Sequence, residues 1–124
     1  MPMTREKIIE LAHELRDKSK ADQVEWSESP YRNGYQTTVG PYTIRIEKES
    51  YEETGGYTYY LRIFNVLGRL VDEITDDEII RVKHDAEEGI VMDDLFKFAR
   101  RSAMGAEQVL DSILTTLSGK KNSK

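Results

Sequence analysis

Apolar residues along the chain first recur at a helical spacing, then alternate with polar residues, and finally return to a helical spacing. Near the start, Ile8, Leu11, Ala12 and Leu15 are spaced as neighbours on one face of a helix. This spacing predicts a first helix over residues 4–20. Most other positions in the segment are polar or charged, which is typical of a helix with one face in water.

Five segments in the middle of the chain have the alternation of β-strands. They cover residues 24–28, 35–39, 42–48, 57–64 and 69–74. Every turn between them contains glycine or proline, and connections this short join antiparallel neighbours. The pattern therefore predicts a five-stranded antiparallel meander.

Helical spacing returns after residue 75. We predict a short helix from residue 76 or 77 to residue 81, a loop over residues 83–89, and a helix that starts at 92 or 93 and ends before Gly105. A last helix follows, and its apolar stripe consists of Val109, Leu110, Ile113, Leu114 and Leu117.

The order of these elements predicts an α+β fold. It consists of an N-terminal helix, a five-stranded antiparallel meander sheet, and C-terminal helices packed on one sheet face. We assign residues 1–118 to a single domain, because no linker or repeat interrupts them, and residues 119–124 to a flexible basic tail. A chain of 124 residues is long enough to bury one core.

The alternation also predicts that the two sheet faces differ. We expect registers in which Phe64 opposes Arg69 and Lys48 opposes Tyr57. The core face then carries Tyr42, Ile44, Ile46, Tyr59, Leu61, Ile63, Leu70 and Ile74, with Asp72 as a misfit. The second face carries Thr43, Arg45, Tyr60, Arg62, Phe64, Arg69, Val71 and Glu73.

This second face, which we call the open sheet face, has aromatic residues among arginines where a face in water is ordinarily polar throughout. Aromatic residues and arginine are enriched at protein interfaces. The candidate contact residues are therefore Arg45, Tyr60, Arg62, Phe64, Arg69 and Val71. The plainer alternative is that stacked Tyr and Arg side chains only cover a solvated sheet.

Composition and charge narrow the function classes. The chain has no cysteine, which excludes disulfides, thiol catalysis and cysteine metal sites. Its net charge is −5, with eight acids against two bases in residues 75–96 and six bases against two acids in residues 97–124. An acidic chain argues against general nucleic-acid binding. No apolar run has the length of a signal peptide or a membrane span, so we expect a cytoplasmic protein without a membrane partner.

No catalytic or phosphate-binding motif is present, so we expect no enzyme activity and no cofactor. His84, Asp85, Glu87 and Glu88 form a candidate metal cluster. No second histidine follows at ligand spacing, and an acidic loop in water is the preferred interpretation. A helix-turn-helix around Gly105 is a candidate for DNA binding, but its second helix has no basic residue to contact phosphates or bases.

The order of apolar and turn positions from Trp26, through residues 57–64, to Leu117 resembles that of small uncharacterised bacterial proteins. The resemblance covers residues 20–118 and implies an α+β fold, with no activity attached to it. By shape and acidic charge the chain is also similar to small secretion chaperones. Those proteins have a helix between their third and fourth strands, where this chain has a glycine-containing loop at residues 49–56.

These observations together predict a non-enzymatic protein-binding module of the adaptor, immunity or antitoxin type. It would act through the open sheet face as a homodimer, with a second copy of itself and another protein as partners. The alternative is a protein that binds a small anionic ligand, such as a nucleotide, through the same Arg and Tyr side chains.

Overall fold

The computed structural model describes residues 2–31 and 33–119, and of residues 2–4 the backbone. Apart from Gly119, the predicted tail lies outside the described residues. The elements in chain order are α1 (Pro2–Lys20), β1 (Ser27–Glu28), β2 (Gly34–Val39), β3 (Tyr42–Ser50), β4 (Tyr57–Phe64), β5 (Leu70–Thr75), α2 (Asp76–Lys83), a 3-10 helix (Ala86–Gly89), α3 (Ile90–Ala103) and α4 (Ala106–Ser118).

The five strands form one antiparallel sheet in the order β1-β2-β3-β4-β5, so each strand lies beside its neighbours in the chain. One helix precedes the sheet and the others follow it, which confirms the predicted α+β fold and the meander. A loop over residues 51–56 joins β3 to β4, at the place where secretion chaperones have a helix. Helices α1 and α3 pack against each other and cover one sheet face.

Strand β1 is shorter than the predicted segment 24–28, because Trp26 turns into the core. The backbone N–H of Trp26 donates to Ser102 Oγ at 2.9 Å, and its indole N–H donates to Ser19 Oγ at 2.9 Å. The residue thus bonds α1 and α3 instead of extending the strand. Only the last two residues of the segment pair with β2.

The register between β3 and β4 differs from the predicted one by two residues. Lys48 opposes Tyr59 rather than Tyr57, because β3 continues to Ser50 before the chain turns. The predicted register was therefore wrong. A shift of two leaves every side chain on the same face, since side chains alternate with a period of two, and the division into two faces survives the error.

A β-bulge next to the β4–β5 turn changes the face of Leu70. Ile63 opposes Asp72 whereas Phe64 opposes Leu70, so Val71 is an extra residue between these two pairs. Leu70 therefore lies opposite Phe64 on the open sheet face and is 50% exposed. The predictions that Phe64 opposes Arg69 and that Leu70 belongs to the core were therefore wrong. Tyr42, also predicted in the core, is 50% exposed at the start of β3.

Asp72 lies on the core face because α1 provides a partner for its carboxylate. Arg5 Nη2 is 2.6 Å from Asp72 Oδ1, while Arg5 Nη1 is 2.7 Å from Glu78 Oε2 and 3.2 Å from the Glu73 carbonyl oxygen. The hydrogen bond to Glu78 is the largest cause that raises the pKa of Arg5 above its ordinary value. One guanidinium group thus joins α1, β5 and α2.

The core lies between the covered sheet face and the helices. Phe96 of α3 contacts two rings of the sheet, with ring centroids 5.3 Å from Tyr35 and 5.4 Å from Tyr59. The Tyr59 hydroxyl donates to Asp93 Oδ1 at 2.5 Å, so a polar contact also holds α3 on the sheet. The other buried apolar residues of the described chain are Ile8, Ile9, Ala12, Leu15, Trp26, Ile44, Ile46, Leu61, Ile74, Ile79, Val91, Met92, Leu95 and Ala99.

The segment after the sheet is more helical than predicted. The Thr75 hydroxyl accepts from the Glu78 N–H and caps α2, which continues to Lys83 before His84 takes a left-handed conformation. Residues 86–89, predicted as part of a loop, form the 3-10 helix that leads into α3. Among the described residues, no helix is both long and apolar enough to cross a bilayer.

The predicted packing of the C-terminal helices on the sheet applies to α3 but not to α4. Helix α4 packs against α3, and none of its residues is buried. Gly105, the residue before α4, has a φ of +65°, a left-handed conformation that suits glycine and sets the direction of α4. The apolar stripe of α4 is consequently exposed.

Candidate functional site

The open sheet face is built from cross-strand rows of β2 to β5. In the central row Gln36, Arg45, Arg62 and Glu73 are successive register partners. The rows beside it contain Glu47, Tyr60 and Thr75 on one side, and Thr43, Phe64 and Leu70 on the other. Strands therefore place the candidate arginines and aromatic rings next to one another on a rigid support.

A depression of about 690 Å³ lies in this face. Its walls combine aromatic rings, a leucine and charged side chains, namely Tyr31, Arg45, Glu47, Lys48, Glu49, Tyr60, Arg62, Phe64, Leu70 and Glu73. Tyr31 comes from the loop between β1 and β2, and the remaining wall residues come from β3, β4 and β5. The face is thus concave, with room for a side chain of a partner.

Two carboxylates, those of Glu73 and Glu47, bind the Arg62 side chain. Its Nε donates to Glu73 Oε1 at 2.8 Å, its Nη1 donates to Glu47, and its Cζ lies 4.4 Å from the centroid of the Tyr60 ring. Burial lowers the pKa of Arg62, but the hydrogen bond to Glu73 and the charge of Glu47 outweigh burial and raise that pKa above its ordinary value. The guanidinium group is therefore fixed in position and permanently charged.

Arg45 is enclosed between two aromatic rings. Its Cζ lies 4.4 Å from the Phe64 centroid and 4.7 Å from the Tyr31 centroid, and its side chain is only 15% exposed. Its Nε donates to Gln36 Oε1 at 3.3 Å. Stacking on both sides leaves this arginine few alternative rotamers.

The sheet places Arg45 directly opposite Arg62, and like charges in this position destabilise a sheet unless anions compensate. Glu47 compensates for both arginines, because its carboxylate bonds Arg62 and lies 3.9 Å from Arg45 Nη1. With Glu73 beside Arg62, two guanidinium groups face two carboxylates. We call Arg45, Arg62, Glu47 and Glu73 the charge network; it is electrically balanced.

Tyr60 lies at the edge of the charge network. Hydrogen bonding with Tyr51 is the largest cause that raises the pKa of Tyr60 above its ordinary value, and burial and the Glu49 carboxylate act in the same direction. The phenol is therefore protonated in neutral solution. Its one O–H is already hydrogen-bonded within the chain, so a partner would contact mainly the Tyr60 ring.

The structure brings four of the six predicted contact residues together. Arg45, Tyr60, Arg62 and Phe64 line the depression, whereas Arg69 and Val71 do not. Arg69 lies in the β4–β5 turn, where its N–H donates to Asn65 Oδ1, and Val71 is the 62% exposed bulge residue. The two belong to the rim of the sheet rather than to the depression.

Sequence reasoning missed Glu47, Tyr31 and Leu70 as site residues. Glu47 had a signal, because it lies two positions after Arg45 on the same face of an alternating strand. Tyr31 lies in an irregular loop and Leu70 changes face at a bulge. The alternation of polar and apolar residues could not reveal either the loop position of Tyr31 or the change of face at Leu70.

The residues of the candidate metal cluster are dispersed among helix ends. Asp85 accepts from the Glu87 N–H at 3.0 Å and caps the 3-10 helix, His84 ends α2, and Glu88 Oε1 lies 3.1 Å from His13 Nε2 on α1. In residues 2–31 and 33–119, no three His, Asp or Glu side chains come together to hold a metal ion. The contacts of these four residues are structural.

A second titratable cluster connects the sheet to α3. Asp93 accepts from Tyr59 and lies 3.1 Å from Lys97 Nζ. Burial opposes ionisation of Asp93, but the hydrogen bonds from Tyr59 and Lys97 lower its pKa below the ordinary value. Burial raises the pKa of Tyr59 above its ordinary value, and the bond to Asp93 adds to the rise. The cluster therefore acts as a structural link at neutral pH.

Comparison with known proteins assigns no function to the open sheet face. No protein-family model, curated protein or solved structure matches the chain significantly. The resemblance to small bacterial proteins therefore stays a prediction. A function has to be argued from the surface itself.

Proposed function

We propose that the protein is a non-enzymatic protein-binding module and that the open sheet face is its contact surface. The observation that carries the proposal is the balanced charge network with the Phe64 and Tyr60 rings beside it and a depression at its centre. Adaptor, immunity and antitoxin proteins all belong to this class of binding module.

The composition of the face supports a protein as the partner. Arginine and aromatic side chains dominate the energetic centres of protein interfaces. On this face stacking and ion pairs already hold Arg45 and Arg62 in place, so these side chains lose little conformational freedom when a partner binds. The complementary group is an apolar side chain that contacts Phe64 and Leu70 in the depression.

The charge network is less suited to the alternative ligand, a small anion such as a nucleotide. Arg62 already donates to Glu47 and Glu73, so a phosphate would have to displace a carboxylate. It would also meet the negative charge of Glu49 on the wall of the depression. We therefore place anion binding second.

The test compares the wild type with the double variant Tyr60→Ala, Phe64→Ala in a pull-down from a lysate of the source cells. We expect proteins captured by the wild type to be lost from the variant, because removing a central aromatic residue commonly weakens an interface about tenfold or more. Leu67→Ala is the matched control, since Leu67 is 73% exposed in the β4–β5 turn, away from the depression.

Circular dichroism and a urea midpoint must first show that the double variant is folded. A folded variant that captures the same proteins as the wild type would contradict the proposal.

A nucleotide screen by thermal shift tests the second function, because a ligand at 100 times its Kd adds about 2.7 kcal/mol of stability. A shift that Arg62→Met abolishes would favour the anionic ligand instead.

A further inference from the structure

The edge of the sheet at β5 is closed to another strand. At Glu73, the backbone N–H donates to Asp72 Oδ1 at 2.8 Å, and the carbonyl oxygen accepts from Arg5 Nη1 at 3.2 Å. Proteins keep edge strands from pairing with other chains by means of inward-pointing charges and β-bulges. Strand β5 has both, in Asp72 and in the bulge at Val71.

The opposite edge, at β2, is open beside Thr38. Along an antiparallel strand, the backbone N–H and C=O groups of successive residues point to alternate sides. The Lys48 N–H donates to the Asn33 carbonyl oxygen, so odd-numbered residues of β2 point to β3, and Gln36 and Thr38 point to β1. Gln36 pairs with Ser27, but β1 has no residue beside Thr38. Within the described part of the chain, no hydrogen bond reaches the backbone N–H or C=O of Thr38.

The edge is open because the chain before β1 leaves the plane of the sheet. Glu25 would lie beside Thr38 if β1 continued, but its carbonyl oxygen instead accepts from the Thr37 hydroxyl at 2.7 Å. The Thr37 side chain lies on the core face, where it is 8% exposed. The segment that leads to Trp26 therefore passes on that side of the sheet and leaves the backbone of Thr38 uncovered.

A groove of about 750 Å³ lies beside this edge, between α1 and β2. Its apolar lining includes Leu11, Trp26 and Val39, and Val39 is 49% exposed. Side chains of a strand alternate between the two faces. A strand paired with Thr38 would consequently direct the residues on either side of its central residue into the groove.

We propose that this edge binds an extended segment of a partner protein, which pairs with β2 at Thr38 and adds a strand to the sheet. The uncovered N–H and C=O of Thr38 match the backbone of an extended segment, which has one free acceptor and one free donor to offer. A helix uses its own N–H and C=O groups internally and cannot match them. The site is separate from the open sheet face and does not depend on the partner of that face.

Charge in the groove indicates which side chains the segment carries. Glu14 in the lining lies 3.8 Å from Lys18, so these two charges compensate each other. Glu25 also lines the groove, and no ion pair of Glu25 is present in residues 2–31 and 33–119. A lysine or arginine beside the apolar residues of the segment would complement Glu25.

A second copy of this chain fits the edge less well than a free segment does. If two β2 strands paired about Thr38, Gly40 of one copy would lie opposite Gln36 of the other. That position is already occupied by Ser27. A free segment has no hairpin turn to place there and can end beside Ser27.

The experiment uses a phage-displayed library of random peptides about seven residues long, selected on the full chain. Pairing at one position predicts weak binding, so multivalent display is needed to retain peptides with a Kd of up to about 100 μM. We expect the selected peptides to have apolar residues at alternate positions together with lysine or arginine. Bound as synthetic peptides, they should change the emission of Trp26, which lines the groove.

Thr38→Pro tests the backbone contact, because proline lacks the N–H and is tolerated on an edge strand where that N–H faces solvent. We expect this variant to bind the selected peptides at least about tenfold more weakly. Thr38→Val is the matched control, since it keeps the N–H and should bind like the wild type. Circular dichroism and a urea midpoint check that both variants are folded.

N-methylation of the peptide tests the same contact without altering the protein. Methylation at the residue that faces Thr38 should weaken binding by a similar factor, whereas methylation at the residues beside it should have less effect. Peptides that tolerate methylation at every position, or that bind folded Thr38→Pro as tightly as the wild type, would overturn strand addition.

Two results would overturn the location of the site. One is a selection that yields no peptide able to change the emission of Trp26. The other is loss of peptide binding in the folded double variant Tyr60→Ala, Phe64→Ala, which would assign the peptides to the open sheet face. We expect that double variant to bind the peptides like the wild type, whatever it does to the partner of the open sheet face.

Discussion

Arg5 offers a test of how the helix layer is fixed to the sheet. Its guanidinium group bonds Asp72 at 2.6 Å, Glu78 at 2.7 Å and the Glu73 carbonyl at 3.2 Å. Removing Arg5 leaves two carboxylates without this cation, whereas removing either acid leaves Arg5 with its other partners. The cost of substitution should therefore be strongly asymmetric.

The magnitudes follow from the partial exposure of the three side chains, which is 26% for Arg5, 31% for Asp72 and 26% for Glu78. A fully buried hydrogen bond to a charged group contributes about 1.5–3 kcal/mol, and exposed ion pairs contribute about 0–1 kcal/mol. We expect Arg5→Met, which keeps an apolar stem, to lower the free energy of unfolding by about 2–3 kcal/mol. Asp72→Asn and Glu78→Gln should each lower it by about 0.5–1 kcal/mol.

Urea unfolding followed by circular dichroism, at one low protein concentration, measures these differences. With a slope of about 1–3 kcal/mol per molar urea, Arg5→Met should lower the midpoint by about 0.7–3 M. Lys7→Met on the same helix is the control, because Lys7 is exposed and its loss should change stability by less than about 0.5 kcal/mol. If Asp72→Asn costs as much as Arg5→Met, the asymmetry argument is wrong.

Two further predictions concern α3 and the segment before it. Asp93 has a lowered pKa in the folded protein, so its contribution is present above its ordinary pKa of 3.8 and is lost as the pH falls through the folded value. Asp93→Asn should therefore lower the free energy of unfolding at pH 7 and have little effect in urea titrations at the most acidic pH. An equal loss of stability at both pH values would exclude the carboxylate as the cause. Gly89→Ala should cost about 1–3 kcal/mol, because its Cβ would lie 2.8 Å from Ile80 Cδ1. Ile80→Ala removes both Cδ1 and Cγ1, the two atoms nearest to that Cβ, so Gly89→Ala should cost less in the Ile80→Ala background in the same thermal or urea assay, while an unchanged cost would point to the backbone.

Much of the fold was predictable because sheet and helix periods are local properties of the sequence. The period of two assigned residues such as Ile46 and Arg62 to their faces even though the predicted register was off by two positions. The helix of residues 76–83 and the turn at Gly105 had cap and glycine signals next to them.

The features that sequence reasoning missed depend on contacts between distant parts of the chain. Asp72 was predicted on the core face, but its partner there, Arg5, is 67 positions away and was not predicted. Trp26 leaves the first strand because Ser102 of α3 accepts its N–H. The charge balance of the open sheet face depends on the pairing of β3 with β4, which brings Arg62 close to Glu47. No local pattern in the sequence contains that information.

The position of Trp26 determines what fluorescence can report. It is the one tryptophan of the chain, it is 4% exposed, and its hydrogen bonds reach α1 and α3. Its emission will follow the integrity of the core and stay unchanged when a partner occupies the open sheet face. A spectral change on binding would mean either a ligand in the groove that Trp26 lines or a rearranged core. Because the chain has no cysteine, a single introduced thiol on the open sheet face can carry a dye and supply the missing local signal.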